Sequence, residues 1–298
     1  MKARHPVVGV LAFPPRVPGA PSARLGLHAG GAEHDVRPAS ARRGLTLLET
    51  LLVVSTVAVL ASVLLPGLSA ARNQAQAVVC RSNVAQIMLA NRFYAEDHRG
   101  VYVPGASEPR RNLHRWHGVR DRPGRPFDGA KGPLARYLGP EGTIRECPQF
   151  DSRLVGEKGG FERGCGGYGY NNAFVGVQVE RQPSGRYVLR ETRAGTFADR
   201  IARPAETLMF ADCAFAAQQL IEYSFAEPRF HPQYPTFRAD PSIHFRHRGW
   251  SNIGWCDGHV DAQRRTFTWS SGLYRADPDR LGLGWFGTTD DNEAFGAE

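Results

Sequence analysis

Residues 41–66 read ARRGLTLLETLLVVSTVAVLASVLLP, and the reading of this run decides what kind of chain carries it. Between Leu45 and Leu65 the only departures from large apolar side chains are small or hydroxylated residues and one charge, Glu49. As a helix these 21 residues span about 31 Å, matching a hydrocarbon core of about 30 Å. Hydropathy alone allows a plain membrane anchor. It also allows a secretory signal cut after the small residues Ser69-Ala70-Ala71, with Arg42-Arg43 lending a faint twin-arginine character. Glu49 suits neither. A charge well inside a spanning helix costs about 2.5–3.5 kcal/mol and calls for a cation at the same depth. A cut between Gly44 and Leu45 would create one, the new α-amino group of a neighbouring copy.

The stretch RRGLTLLETLL resembles the prepilin leader site of type IV pilins and type II secretion pseudopilins. In that family a membrane aspartyl protease, the prepilin peptidase, cuts after the glycine and methylates the new N-terminus. The resemblance implies that Gly44 closes the leader, that Leu45 is the first mature and methylated residue, and that Glu49 is the fifth-position glutamate used in assembly. Pro66 falls at the twenty-second mature position, where many members carry a helix-kinking proline. This chain departs from the pattern in starting with Leu rather than Phe or Met, and in its long leader. The implied organisation is a leader over 1–44, a transmembrane helix over 45–66, an amphipathic continuation over 67–100 and a globular head over 101–298. The implied partners are the prepilin peptidase, other pilin or pseudopilin subunits and the inner membrane, crossed once with the leader cytoplasmic and the head periplasmic or extracellular.

Outward from this run, the composition divides. Residues 1–44 hold six prolines and six glycines without a sustained apolar period and read as a disordered leader that is removed. They also carry +5 of the net charge of +8, leaving +3 for the remaining 254 residues, which contain only two lysines, Lys131 and Lys158. Nothing in that balance calls for nucleic acid as a partner. On the C-terminal side the helix is expected to continue past Pro66 to about His98, with Ala85, Met88, Leu89 and Phe93 on one face and Gly100 as the stop. AFVGVQVERQPSGRYVLRET reads as two β runs around Pro-Ser-Gly, and ETLMFADCA as a buried strand ending at Asp212. SNIGWCDGHVDAQ reads as a hairpin turning on the dipeptide Asp257-Gly258. Regions 104–133, 150–169 and 225–245 read as loops. The fold class is α+β: a long N-terminal helix packed on an antiparallel sheet with large loops.

A second resemblance covers this part. Many prepilin-like bacterial proteins share a globular region with a His, nine residues, then Asp-Gly; here that is His247 to Asp257-Gly258, followed by His259. The likeness extends to CRSNVAQI, VYVP, Cys147-Pro148, GYGYNN and RPAETLMFADC. His247, Asp257 and His259 invite a metal or catalytic reading. The alternative is structural, with Asp257 accepting turn amides and His247 bonded to loop backbone; no HxxxH or HExxH signature is present. Major pseudopilins often hold calcium in a C-terminal loop, and Asp290, Asp291, Asn292 and Glu293 offer hard oxygen donors there, although an acidic tail is ordinarily just solvated. No other cofactor is implied. Of five cysteines, none in a CxxC, four could pair if the head is exported, or all could be buried thiols. There is no GxSxG elbow, Walker loop or dinucleotide fingerprint. The expected function is therefore a non-enzymatic structural subunit of a type II secretion pseudopilus or pilus-like filament. The alternative is a membrane-tethered periplasmic binding or enzyme domain whose site would be the histidine cluster.

Overall fold

The computed structural model describes residues 44–108, 111–151, 162–217 and 219–296. The expected leader lies outside them except for Gly44, as does the 152–161 part of the expected loop 150–169. The chain divides into two units, residues 1–55 and 56–298.

In the first unit the helix α1 (Leu47–Asp97) begins. Its start is written locally as Thr46-Leu47-Leu48-Glu49. The Glu49 amide donates to Thr46 Oγ1 at 3.2 Å, and Glu49 Oε2 accepts from the Thr46 amide at 2.8 Å and the Thr46 hydroxyl at 2.9 Å. This is a reciprocal capping box, which satisfies backbone donors that a helix start leaves open. Glu49 is thus in the first turn, not well inside the helix as the apolar run suggested. Its carboxylate has a local partner before any neighbouring copy is invoked. The hydroxyls of Thr50 and Ser55 turn back onto the Leu47 and Leu52 carbonyls, at 2.9 and 2.8 Å, so the polar atoms here are satisfied inside the helix. The large side chains around them are exposed, from Leu47 to Val54.

In the second unit α1 runs on through Pro66, which has no N–H to give the Ser62 carbonyl. By length and composition α1 can cross a membrane. From Cys80 onward one face is buried: Cys80, Asn83, Val84, Ile87, Met88, Asn91 and Ala95, the three- and four-residue spacing of a helix stripe. Of the face expected from apolarity, Met88 is buried but its companions are not. Ala85, Leu89 and Phe93 are exposed, and Asn83 and Asn91 take the inward positions. Each asparagine has partners that make burial affordable. Asn83 Nδ2 donates to the Tyr168 hydroxyl at 3.0 Å. Asn91 Nδ2 donates to the Tyr170 hydroxyl at 3.2 Å, and its Oδ1 accepts from the Val103 amide at 2.9 Å. The helix stops where the sequence said it would. Arg99 takes a left-handed conformation (φ 56°) and the Gly100 amide (φ 82°) donates back to the Ala95 carbonyl at 2.8 Å.

The central sheet has four antiparallel strands: β1 (Tyr168–Tyr170), β2 (Leu208–Asp212), β3 (Trp250–Trp255) and β4 (Val260–Arg264), in the order β4-β3-β2-β1. In register, Tyr168 lies opposite Asp212, Ala211 opposite Ile253, and Gly254 opposite Val260. The helix lies close to the sheet at Gly254, where an added Cβ would collide with Met88 and Val84. A buried core joins Val84, Ile87 and Met88 of α1 to Tyr168, Tyr170, Met209 and Phe210 of the sheet. The architecture is α+β. The run after Ala173 forms the expected hairpin, Gln178–Arg181 with Tyr187–Glu191. Local expectations change in several places. The β3–β4 connection has four residues, Cys256 to His259, not two: the Gly258 amide (φ 106°) donates to the Trp255 carbonyl at 2.9 Å, and the Trp255 amide to the His259 carbonyl at 3.0 Å. The expected loop 225–245 contains a bulged hairpin, Phe230–His231 with Tyr234–Arg238, which its proline content concealed.

Candidate functional site

Asp212, at the end of β2, is a fully buried carboxylate. A carboxylate there can stay ionised only with partners that replace water. It has four. The β3 residue Asn252 donates its amide and its side-chain Nδ2 to Asp212 Oδ2, at 2.7 and 2.9 Å. His247 Nε2 lies 3.1 Å from the same oxygen, and Arg246 Nη2 lies 2.8 Å from Oδ1. Arg246 and His247 arrive on the segment just before β3. Their position is set by the tight turn His247-Arg248-Gly249-Trp250. Arg248 and Gly249 both have positive φ (59° and 88°), and His247 and Trp250 exchange backbone hydrogen bonds at 3.0 and 3.2 Å. Arg246 also reaches the Cys213 carbonyl at 3.2 Å and stands over the Phe150 ring, 4.9 Å from its centroid.

Two cysteines complete the cluster. Cys80 faces inward from α1. Cys147 precedes the short helix α2 (Pro148–Asp151), with its amide tied to the Gly166 carbonyl at 3.0 Å and its carbonyl accepting from Phe150 at 2.9 Å. Their sulfurs are 2.6 Å apart, and Cys147 Sγ is 3.9 Å from His247 Nε2. Both residues are fully buried.

The charges set one another. Burial pushes the Asp212 carboxyl up, but the Arg246 guanidinium and the bond from His247 outweigh it and hold the group well below the usual carboxylate range. Burial likewise opposes a charged His247, yet the bonds to Asp212 and Cys147 win and raise it to about 9. In the dithiol form, the contact with Cys80 lowers Cys147 well below the usual thiol range against burial, helped by Arg246 and His247, while Cys80 is pushed up.

No protein-family model, characterised protein or solved structure matches the chain.

The site is not the one the His-(nine residues)-Asp-Gly spacing suggested. His247 precedes β3 and Asp257 and His259 follow it; six extended residues, Trp250–Trp255, span about 17 Å. A metal or catalytic cluster of the three is therefore split, and the structural reading of Asp257 fits. Asp257 and His259 form their own exposed pair at 2.7 Å, and Asp257 Oδ1 also accepts the His259 turn amide at 3.0 Å. Gly258 supplies the positive φ of that turn. His247 finds a carboxylate as well as loop backbone. The C-terminal acidic residues do not converge either. Asp290 pairs with Arg238 at 2.6 Å, Asp291 caps the Glu293 amide at 2.9 Å, Asn292 bonds both backbone groups of Phe230, and Glu293 pairs with Arg203. These four donors are turned to separate partners.

Among the described residues, Cys80, Cys147 and His247 bring ligand atoms within 4.8 Å of one another, as a metal would require. The detailed geometry does not suit one. Two sulfurs on a tetrahedral zinc sit about 3.8 Å apart, given Zn–S bonds of about 2.3 Å. Here they are much closer, His247 Nε2 already faces Asp212, and a guanidinium stands beside the carboxylate. Nor is this a nucleophile–base–acid relay. In a relay the acid holds the imidazole nitrogen remote from the nucleophile. Here Cys147 and Asp212 face the same nitrogen, and His247 Nδ1 is buried without a hydrogen-bond partner. What the arrangement does is fasten three parts of the head, the end of β2, the segment before β3 and the start of α2, to the helix face at Cys80.

Of these residues the sequence reading singled out His247 by spacing and the two cysteines by type, but not Asp212 or Arg246 as partners. A signal was present: an acid closing the all-apolar run LMFA must have a buried cation somewhere.

Proposed function

We propose that the chain is a pilin- or pseudopilin-like structural subunit, cut after Gly44 by a prepilin peptidase, methylated at Leu45 and assembled through α1 into a type II secretion pseudopilus or pilus-like filament. One observation carries the reading. A single helix starts two residues after Leu45 with a long run of exposed apolar side chains, and later presents a buried, hydrogen-bonded face to a sheet. The first property suits lipid and then the core of a helical filament; the second makes the helix a handle for the head. In this reading the helix crosses the inner membrane once, with the leader cytoplasmic and the head outside. A tethered binding or enzyme domain would need a site other than the His247, Asp257 and His259 set, whose members lie at opposite ends of β3.

The capping box refines the test. Glu49→Ala removes both the cap and the charge, so failed assembly would not say which matters. Glu49→Gln keeps the cap, since Gln serves at that position, and removes the charge. If a neighbour's α-amino group pairs with Glu49, Glu49→Gln inserts normally and yields no filament-sized species after shearing or cross-linking of cells. Wild-type assembly by Glu49→Gln would reduce the residue to a helix cap and count against the reading.

A further inference from the structure

We propose that Cys80 and Cys147 form a disulfide in the folded protein, a covalent tie between helix α1 and the head. The two residues are 67 positions apart, yet the fold brings their sulfurs to 2.6 Å with both side chains fully buried. In the structure both are thiols, and their sulfurs touch across 67 positions of chain, the juxtaposition from which a disulfide can form. The alternatives that would draw sulfurs together are a bond between them or a shared metal, and a shared metal would hold them further apart. The other three cysteines have different surroundings. Cys165 lies against the Glu222 carboxylate, Cys213 packs on Gly169 beside Arg246, and Cys256 sits in the β3–β4 connection. One bridge and three buried thiols follow, which accounts for the odd cysteine count.

The chemistry balances with a disulfide as oxidant, either the active-site disulfide of a thiol oxidoreductase or a low-molecular-weight disulfide. The Cys147 thiolate attacks one oxidant sulfur; the oxidant S–S bond breaks and its second sulfur leaves as a thiolate. Cys80, deprotonated in turn, attacks Cys147 Sγ, and the mixed disulfide breaks with loss of the other oxidant thiolate. The two cysteines are oxidised by two electrons, the oxidant is reduced by two, and the two cysteine protons end on its thiols. Because both sulfurs are sealed in the folded head, the exchange belongs to folding, before the core closes over α1. The consequence is mechanical. Force applied along α1 reaches α2 and the Asp212 cluster through a bond, and not only through packing. The inference does not depend on the filament reading; it needs only an oxidising compartment during folding.

The test is a thiol count on the full chain, extracted in detergent from cells quenched with an alkylating reagent, then denatured. Three thiols before reduction and five after, with a Cys80–Cys147 cross-linked peptide in the digest, is the expected result. Cys147→Ser should then show four thiols with and without reductant, Cys80 among them. Five thiols without reductant would overturn the proposal. So would a cross-link between any other two cysteines, or stoichiometric zinc by elemental analysis with five thiols released on chelation. The counts are made on denatured chain, so a variant that folds poorly still reports.

Discussion

Two Asp–His pairs in this head differ in everything except their chemistry. Asp257 and His259 are 2.7 Å apart on an exposed turn; Asp212 and His247 are 3.1 Å apart in the core, with side-chain exposures of 0% and 4%. The shorter pair is the weaker one. On the turn, water solvates both groups whether or not they meet, and such pairs contribute about 0–1 kcal/mol. In the core neither group can exist as an ion without the other, or without Arg246 and Asn252 beside it. Distance does not rank ion pairs; what each group would lose on separation does.

The largest expected effect probes this directly. Asp212→Ala strands two buried cationic groups and should cost about 3–5 kcal/mol, seen as a shift of the denaturation midpoint of the full chain in detergent or as failure to fold. Next comes the cross-link. In the chain-entropy view, opening a closed loop of 67 residues by Cys80→Ser costs about 4 kcal/mol. It should be matched by reductant added to the wild type, and not by reductant added to the variant.

The third effect is a pH dependence with a defined sign. His247, raised to about 9 in the dithiol form, stabilises the fold fully below its unfolded value near 6.5 and loses that contribution as pH climbs through 9. A rise of that size is worth about 3 kcal/mol. Oxidation removes Cys147 as one of the groups raising His247, so the loss should be smaller and be complete at a lower pH in the disulfide form. Asp212 acts at the other end. Its contribution is present above 3.8 and fades as pH falls below it. Equal total alkaline losses with and without reductant would break the link between His247 and the cysteines. The smallest effect is the control. Asp257→Ala should cost less than about 1 kcal/mol, and if it rivals Asp212→Ala the contrast between the two pairs is wrong.

The sequence displayed those features whose cause is local. The β2 run, the Gln178–Glu191 hairpin, the turn at Gly258 and the stop at Gly100 each rest on neighbouring residues, and each is there. The buried helix face was misread because Asn83 and Asn91 look like surface residues until Tyr168, Tyr170 and the Val103 amide are in place to receive them. The charge cluster was hidden for the same reason. His247 was marked by its spacing to Asp257, but its carboxylate comes from β2, and the Cys80–Cys147 approach joins positions with no sequence relation. Glu49 stood out as a charge, and its cap was overlooked. The apolar run exposed its charge, while the Thr46-Leu-Leu-Glu49 cap lay in four letters of the same run.

The central claim, that this chain is processed as a filament subunit, is tested most directly by intact-mass and N-terminal peptide mass spectrometry of the protein from membranes of cells that make it. The account predicts a mature chain beginning at Leu45 and heavier by one methyl group, with unprocessed precursor when Gly44 is replaced by a bulky residue. A mature N-terminus at Ala71 or beyond would contradict it and make the apolar run a secretory signal.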